Sequence, residues 1–250
     1  AATFNAIARG LAIKIVASMG AQPQKGWPSP FMVRKDLLDT GVIKTMADLK
    51  GKKVAIAGGG GSTGSYWVAT KLRDVGLTLK DIDIVNMRFG DMVVAFKTKA
   101  IDAAMPPEPF SSRIRADGTG DIFGPPNTPG ASAVGVVYGE DLIKKRPEVG
   151  RRLMTALVKA VREIQGPQYY DDKNLEIYAK YTRMPLETLK RIDKYDFHPD
   201  LRPDLETLMD MQKLFIAQGF IRYSEPLPPE RWVDDSFVRH AVAELGPYRP

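Results

Sequence analysis

The chain has 250 residues, 44% of them hydrophobic and 26% charged. That balance supports one or two domains with buried cores and excludes a disordered, collagen-like or coiled-coil chain. Lysine and arginine total 36 against 30 acidic residues, a net charge of +6, and cysteine is absent, which removes disulfides, thiolate metal sites, Fe–S clusters and cysteine nucleophiles.

No apolar run reaches the roughly 20 residues needed to cross a bilayer. The positive balance favours anionic partners. Basic residues concentrate only between Lys144 and Arg162, on the polar side of a helical pattern. No recognition-helix, zinc-finger or RNA-binding motif accompanies them, so nucleic acid is not an expected partner. The chain opens at Ala1 without a signal peptide, and the expectation is a processed, trimmed or truncated chain.

In chain order, Ala1 to Val16 reads as a short helical turn, with Thr3, Phe4 and Asn5 just ahead of a helix, then Gly10, then a strand-like run from Leu11 to Met19. A Pro-rich loop follows to Pro30. Val54 to Ala57 is a compact buried strand, leading into the four glycines Gly58 to Gly61. Tyr66, Ala69, Leu72 and Val75 then recur at helical spacing, with Gly76 as the stop. Ile82 to Met87 is a second strand, Asp91 a candidate N-cap for a helix carrying Met92, Val93 and Phe96, and Ile101 to Met105 a third strand. This alternation predicts a parallel α/β sheet. Ser132 to Tyr138 is a further strand, and Pro147 opens a long amphipathic helix. Shorter helical stretches follow, the last closed by Gly219.

The strongest chemical feature is the strand–glycine–helix passage from Val54 to Ser65. A helix start leaves backbone N–H groups unpaired and carries about half a positive charge. Gly61, Ser62, Thr63 and Gly64 are therefore candidates for holding an anion such as a carboxylate, sulfonate, phosphate or nitrate; the alternative is a turn with an ordinary N-cap. Gly59, Gly61 and Gly64 also satisfy G-x-G-x-x-G, which keeps an NADP-binding reading open through Arg88, whereas a Walker loop fails for want of the Lys-Ser/Thr pair. Glu108, set among Pro106, Pro107 and Pro109 after a strand, is a candidate acceptor for a ligand N–H or simply a surface acid. Arg88 holds the equivalent strand-end position one strand over, where it could pair with an acidic ligand or lie free on the surface. Thr3 and Asn5 are candidates for a second helix start facing the ligand. Trp27 and Trp67 read first as packing residues. The two histidines, His198 and His240, lack metal-ligand spacing, and neither they nor Ser62 enter a catalytic constellation. No catalytic residue, metal site or cofactor is assigned.

The order Asp48 to Val54, the Gly-Gly-Ser-Thr stretch ending at Thr63, Gly76-Leu77, Asp102 to Ala104, and Pro107 to Phe110 resembles the nitrate/sulfonate/taurine solute-binding proteins of ABC transporters. Lys145 to Val149 at the head of the long helix and Gln212 to Gly219 are similar too. The resemblance implies an α/β, two-lobed type II periplasmic binding fold, with the N-terminal part of the first lobe missing from this chain. It implies residues 1–32 as the remainder of lobe I, 33–138 as lobe II with the glycine loop, and 139–250 as a helical region partly returning to lobe I. It also implies ligand contacts at Ser62, Thr63, Gly64 and Glu108, with the loop of Thr3 and Asn5 at the cleft. Pro107 stands where many members have Trp, which removes an expected aromatic wall. The implied function is periplasmic capture of a small organic anion or zwitterion and its delivery to a membrane permease. Enzymes of this fold that make the thiamine pyrimidine use a Cys-rich motif and a His that this sequence lacks. A biosynthetic enzyme of the same fold, or an NADP enzyme using Gly59–Gly64, stands as the alternative.

Overall fold

The computed structural model describes residues 1–249. The chain begins with α1 (Ala2–Ala8), β1 (Lys14–Ser18), β2 (Met32–Arg34) and α2 (Lys35–Asp39). It continues through β3 (Lys53–Ile56), α3 (Thr63–Arg73), β4 (Asp83–Asn86), α4 (Phe89–Lys97), β5 (Ala103–Ala104), α5 (Phe110–Ala116), β6 (Gly120–Ile122) and β7 (Gly135–Tyr138). Helices follow: α6 (Pro147–Glu163), α7 (Asp172–Thr182), α8 (Leu186–Leu189), α9 (Leu205–Ala217), α10 (Pro229–Trp232) and α11 (Ser236–Leu245). Two compact units result. Unit 1 takes Ala1–Ala2, Lys25–Thr128 and Lys213–Ser224; unit 2 takes Thr3–Gln24, Pro129–Gln212 and the chain from Glu225.

Unit 1 is a five-stranded sheet in the order β4-β3-β5-β2-β6. β3 runs parallel to both β4 and β5, with Ile56 opposite Asn86 and Ala55 opposite Ala104. Val54, Ala55 and Ile56 are all fully buried, as a strand covered on both faces requires. One of these faces packs Met32, Ala55 and Ala104 against Met92, Phe96 and Ile114 from α4 and α5. The sequence predicts a parallel sheet, but β2 pairs antiparallel with both β5 and β6. At three residues, Met32, Val33 and Arg34, β2 is too short to carry a signal of direction or neighbour.

Local chemistry explains most element ends. α3 closes on Gly76, whose φ of +73° lets Leu77 N–H reach Leu72 O at 2.9 Å and Gly76 N–H reach Arg73 O at 3.1 Å. Asp91 is not the N-cap of α4; Arg88 holds that place and Asp91 lies in the first turn, where its charge favours the helix dipole. Thr3 and Asn5 lie within α1 rather than ahead of it.

Unit 2 is built on a two-stranded antiparallel sheet of β1 and β7. The sequence places residues 129–138 with lobe II, yet Gly135–Tyr138 pairs with Lys14–Ser18, because β7 finds its partner in the N-terminal strand. Val16, Ala17 and Tyr138 form a core with Met154 and Val158 of α6 and Phe237, Val238 and Ala241 of α11. Gly150, inside α6, leaves room for this approach: a Cβ there would stand 2.8 Å from the Phe237 ring. Tyr138 closes the contact by donating to Gly150 O at 2.9 Å. At the far end of α6, Arg162 Nη2 meets Asp200 Oδ1 at 2.7 Å and its Nη1 donates to Gly246 O at 2.9 Å.

Both units hold a largely buried cation. Lys71 on α3 is 3% exposed, and its ammonium donates to Pro125 O, tying the helix to the loop that follows β6. Burial pulls its pKa down to about 8, against the opposing pull of Asp74. Between about pH 8 and 10.5 the unfolded chain therefore binds more protons at this site than the folded one, so stability rises with pH across that window.

Two outcomes check these packing claims by urea unfolding. Arg162→Met takes away the close partner of the largely buried Asp200 carboxylate, leaving it only the exposed Arg202 at 3.4 Å, and is expected to cost about 3 kcal/mol. The parent protein should gain up to about 3 kcal/mol relative to Lys71→Met between pH 8 and 10.5. Parallel pH profiles for the two proteins would show that Lys71 is solvated.

Candidate functional site

The parallel register of β4, β3 and β5 makes the chain leave all three strands at one edge of the unit 1 sheet. The Gly58–Gly64 turn follows β3, Arg88 follows β4 and Glu108 follows β5. In α/β sheets the carboxyl ends of parallel strands are where ligands bind. The structure thus brings Gly61, Ser62, Thr63, Gly64, Arg88 and Glu108 to one edge. Thr3 and Asn5 belong to unit 2.

The glycine turn has a fixed conformation. Gly58, Gly59 and Gly61 take φ values of +79°, +64° and +79°, a region that L side chains rarely adopt. Gly60 is needed for a different reason: a Cβ there would lie 2.3 Å from the Phe220 ring. The run of four glycines is therefore accounted for by turn geometry and by one aromatic neighbour, and calls for no bound phosphate or dinucleotide. Asn86 pins the turn from β4, its Oδ1 accepting from Gly58 N–H at 3.0 Å. The Ala1 nitrogen donates to Gly61 O at 2.6 Å.

Ser62 is the N-cap of α3. Its hydroxyl donates to Gly59 O at 2.8 Å and accepts from Ser65 N–H at 3.3 Å. That proton is spent within the turn. Gly64 lets the first turn rest on β3, since a Cβ would sit 3.1 Å from Ile56 Cγ2. What the turn offers an anion is the positive end of an eleven-residue helix.

Glu108 is half-buried, and its carboxylate accepts from the Ser112 hydroxyl at 2.9 Å and Ser112 N–H at 3.3 Å. It caps α5 through its side chain while its own N–H donates to Pro28 O at 2.9 Å. A carboxylate has about four acceptor positions, so the cap leaves capacity for a further donor. Arg88 is exposed and makes no ion pair among the described residues, which leaves its guanidinium open to a further partner.

Sequence reasoning missed the contribution of four residues. Phe220 and Asn86 act across long sequence separations and carry no local signal. Phe89 and Phe110, the first residues of α4 and α5, stack with ring centroids 6.1 Å apart, and Phe89 is 39% exposed. They place aromatic surface beside Arg88 and Glu108 despite Pro107. Trp67, by contrast, is a core residue, tilted against Tyr66. The histidines lie in unit 2 in local contacts: His198 Nδ1 accepts from Asp200 N–H at 3.1 Å, and His240 Nε2 is 3.8 Å from Glu244. Burial pushes the His198 imidazole below its usual range. Among the described residues no acidic or histidine cluster could hold a metal ion, and no helix is long and apolar enough to cross a membrane.

Comparison with known proteins places the chain in a family and shows its fold. The family model described as NMT1/THI5 like matches residues 2–168. A candidate binding protein of Brucella abortus is 26% identical over 156 residues, taking in 59% of this chain and 46% of that protein. The chain thus spans about half the length of the curated relatives it matches. Three solved structures show the same fold at low identity. The periplasmic aliphatic sulphonate binding protein SsuA of Escherichia coli superposes with a TM-score of 0.65 at 19% identity, over 94% of this chain and 78% of that one. The periplasmic nitrate-binding protein NrtA of Synechocystis PCC 6803 gives 0.68 at 13% identity, over 96% and 71%. The desulfurization enzyme DSZB gives 0.58 at 14% identity, over 94% and 80%. The α/β architecture is that of SsuA- and NrtA-type periplasmic binding proteins.

The Gly60–Phe220 contact can be tested directly. Gly60→Ala is expected to destabilise by about 1–3 kcal/mol through overpacking. In a double-mutant cycle, most of that cost should vanish in a Phe220→Ala background, giving a coupling of about 1 kcal/mol or more. Additive effects would mean that the ring does not cover the turn.

Proposed function

Since the chain belongs to the NMT1/THI5-like family, we propose that it is the solute-binding component of an ABC transporter. In this reading it works in the periplasm, captures a small organic anion or zwitterion, and hands it to a membrane permease. The observation that carries the proposal is the convergence of an α3 N-terminus, an uncommitted arginine and a carboxylate at the ends of three adjacent parallel strands. The helix start and Arg88 supply positive potential for an acidic group; backbone dipoles are fixed and cost no reorganisation when the anion arrives. Glu108 supplies an acceptor for an ammonium or N–H donor, and the exposed face of Phe89 supplies apolar contact. A sulfonate with an amino group, an aromatic acid and nitrate all match part of this set. The likeness to sulfonate- and nitrate-binding structures supports the same ligand range.

Isothermal titration with taurine, methanesulfonate, nitrate and benzoate tests the reading. At least one should bind, and Arg88→Glu should weaken it tenfold or more, the loss of a charged contact being worth about 1.5–3 kcal/mol. Glu108→Gln should weaken taurine more than methanesulfonate. Absence of binding at millimolar concentration for all four, or affinities indifferent to both substitutions, would sink the assignment.

A further inference from the structure

Unit 2 contains a cavity of about 470 Å³ that the site above does not use. Its volume lies in the range of small-molecule pockets, about 300–1,000 Å³. Val238, Arg239, Val242 and Ala243 line it from one face of α11, at spacings of three and four residues, and Leu205 faces it from the start of α9. With Val233, these side chains make most of the wall apolar.

The charges sit where the wall meets water. Arg202 and Arg239 are 67% and 72% exposed at the side chain. Arg239 Nε holds Asp235 Oδ1 at 3.1 Å. Arg202 is less committed: its Nη2 lies 3.4 Å from an Asp200 carboxylate that Arg162 already engages at 2.7 Å. A guanidinium has five N–H donors, so both arginines retain donors for a further anion.

We propose that this cavity is a second small-molecule site, for an amphipathic monoanion: a medium-chain carboxylate or sulfonate. Its aliphatic tail packs against Leu205, Val233 and Val242, and its head group meets Arg202 and Arg239. A tail-less anion such as nitrate meets only the rim arginines and gains nothing from the apolar wall, so it binds far more weakly than an anion with an aliphatic tail. The ligand class therefore differs from that of the strand-edge site, and the proposal stands whether or not that site binds its anion.

The test uses the whole chain with methyl-labelled Leu and Val, titrated by NMR with hexanoate, octanoate and decanoate below their micellar concentrations. The Leu205, Val233 and Val242 methyls should shift. Affinity should rise about fourfold per methylene until the cavity is filled. Decanol should bind at least tenfold more weakly than decanoate, and Arg202→Gln with Arg239→Gln should cost decanoate a similar factor. Ala243→Trp, at an exposed position, should block the site. Saturating taurine should leave the decanoate titration unchanged. Silent methyls, equal binding of decanol, or a titration that survives Ala243→Trp would each overturn the proposal.

Discussion

The register of three short strands is the constraint from which the candidate site follows. Val54 to Ile56 of β3 are fully buried, and the strand pairs in parallel with β4 on one side and β5 on the other. Parallel pairing forces each chain segment to leave its strand in the same direction. Three loops distant in sequence therefore open at one edge without any side chain having to gather them. The chemistry of that edge is then set by what stands first after each strand: a helix start, an arginine and a carboxylate.

The glycine turn shows how composition can mislead when read alone. Four glycines in a row suggest a cradle for phosphate. Here three of them serve left-handed backbone and the fourth makes room for an aromatic ring arriving from residues 213–224. Ser62 likewise spends its hydroxyl on the turn. At this turn the Ser62 hydroxyl is thereby withdrawn, and what stands out is the helix dipole together with the exposed Arg88 guanidinium.

Much of the architecture was legible because it rests on local rules. The Val54–Ala57 strand, the helix closed by Gly76 and the helix opened by Pro147 follow from apolar periodicity, a left-handed glycine and a proline that needs no N–H. What was not legible depends on distant partners. β2 acquires its antiparallel place only from β5 and β6, and β7 only from β1. Lys71 reads as the polar side of a helix, four residues from the buried Trp67, and its burial is decided by a loop more than fifty residues later. Within the strand-edge site, Arg88 and Glu108 could be placed because each follows a recognisable strand. Phe220 could not, since nothing near it in sequence marks it as a cover for the turn. Ser112, which holds the Glu108 carboxylate, stands at the i+4 position, but Pro109 between them hides the helical spacing that brings the two together.

The enclosure of Lys71 also bears on how this molecule meets proteases. Trypsin needs an extended segment with the basic side chain free to enter its specificity pocket. In α3 that side chain is held inside and its peptide bond is wound into a helix. A nick after this residue records wholesale opening of its unit, whereas nicks at the many surface lysines record only local fraying. The interior amine thus doubles as an internal clock for the lifetime of the folded unit.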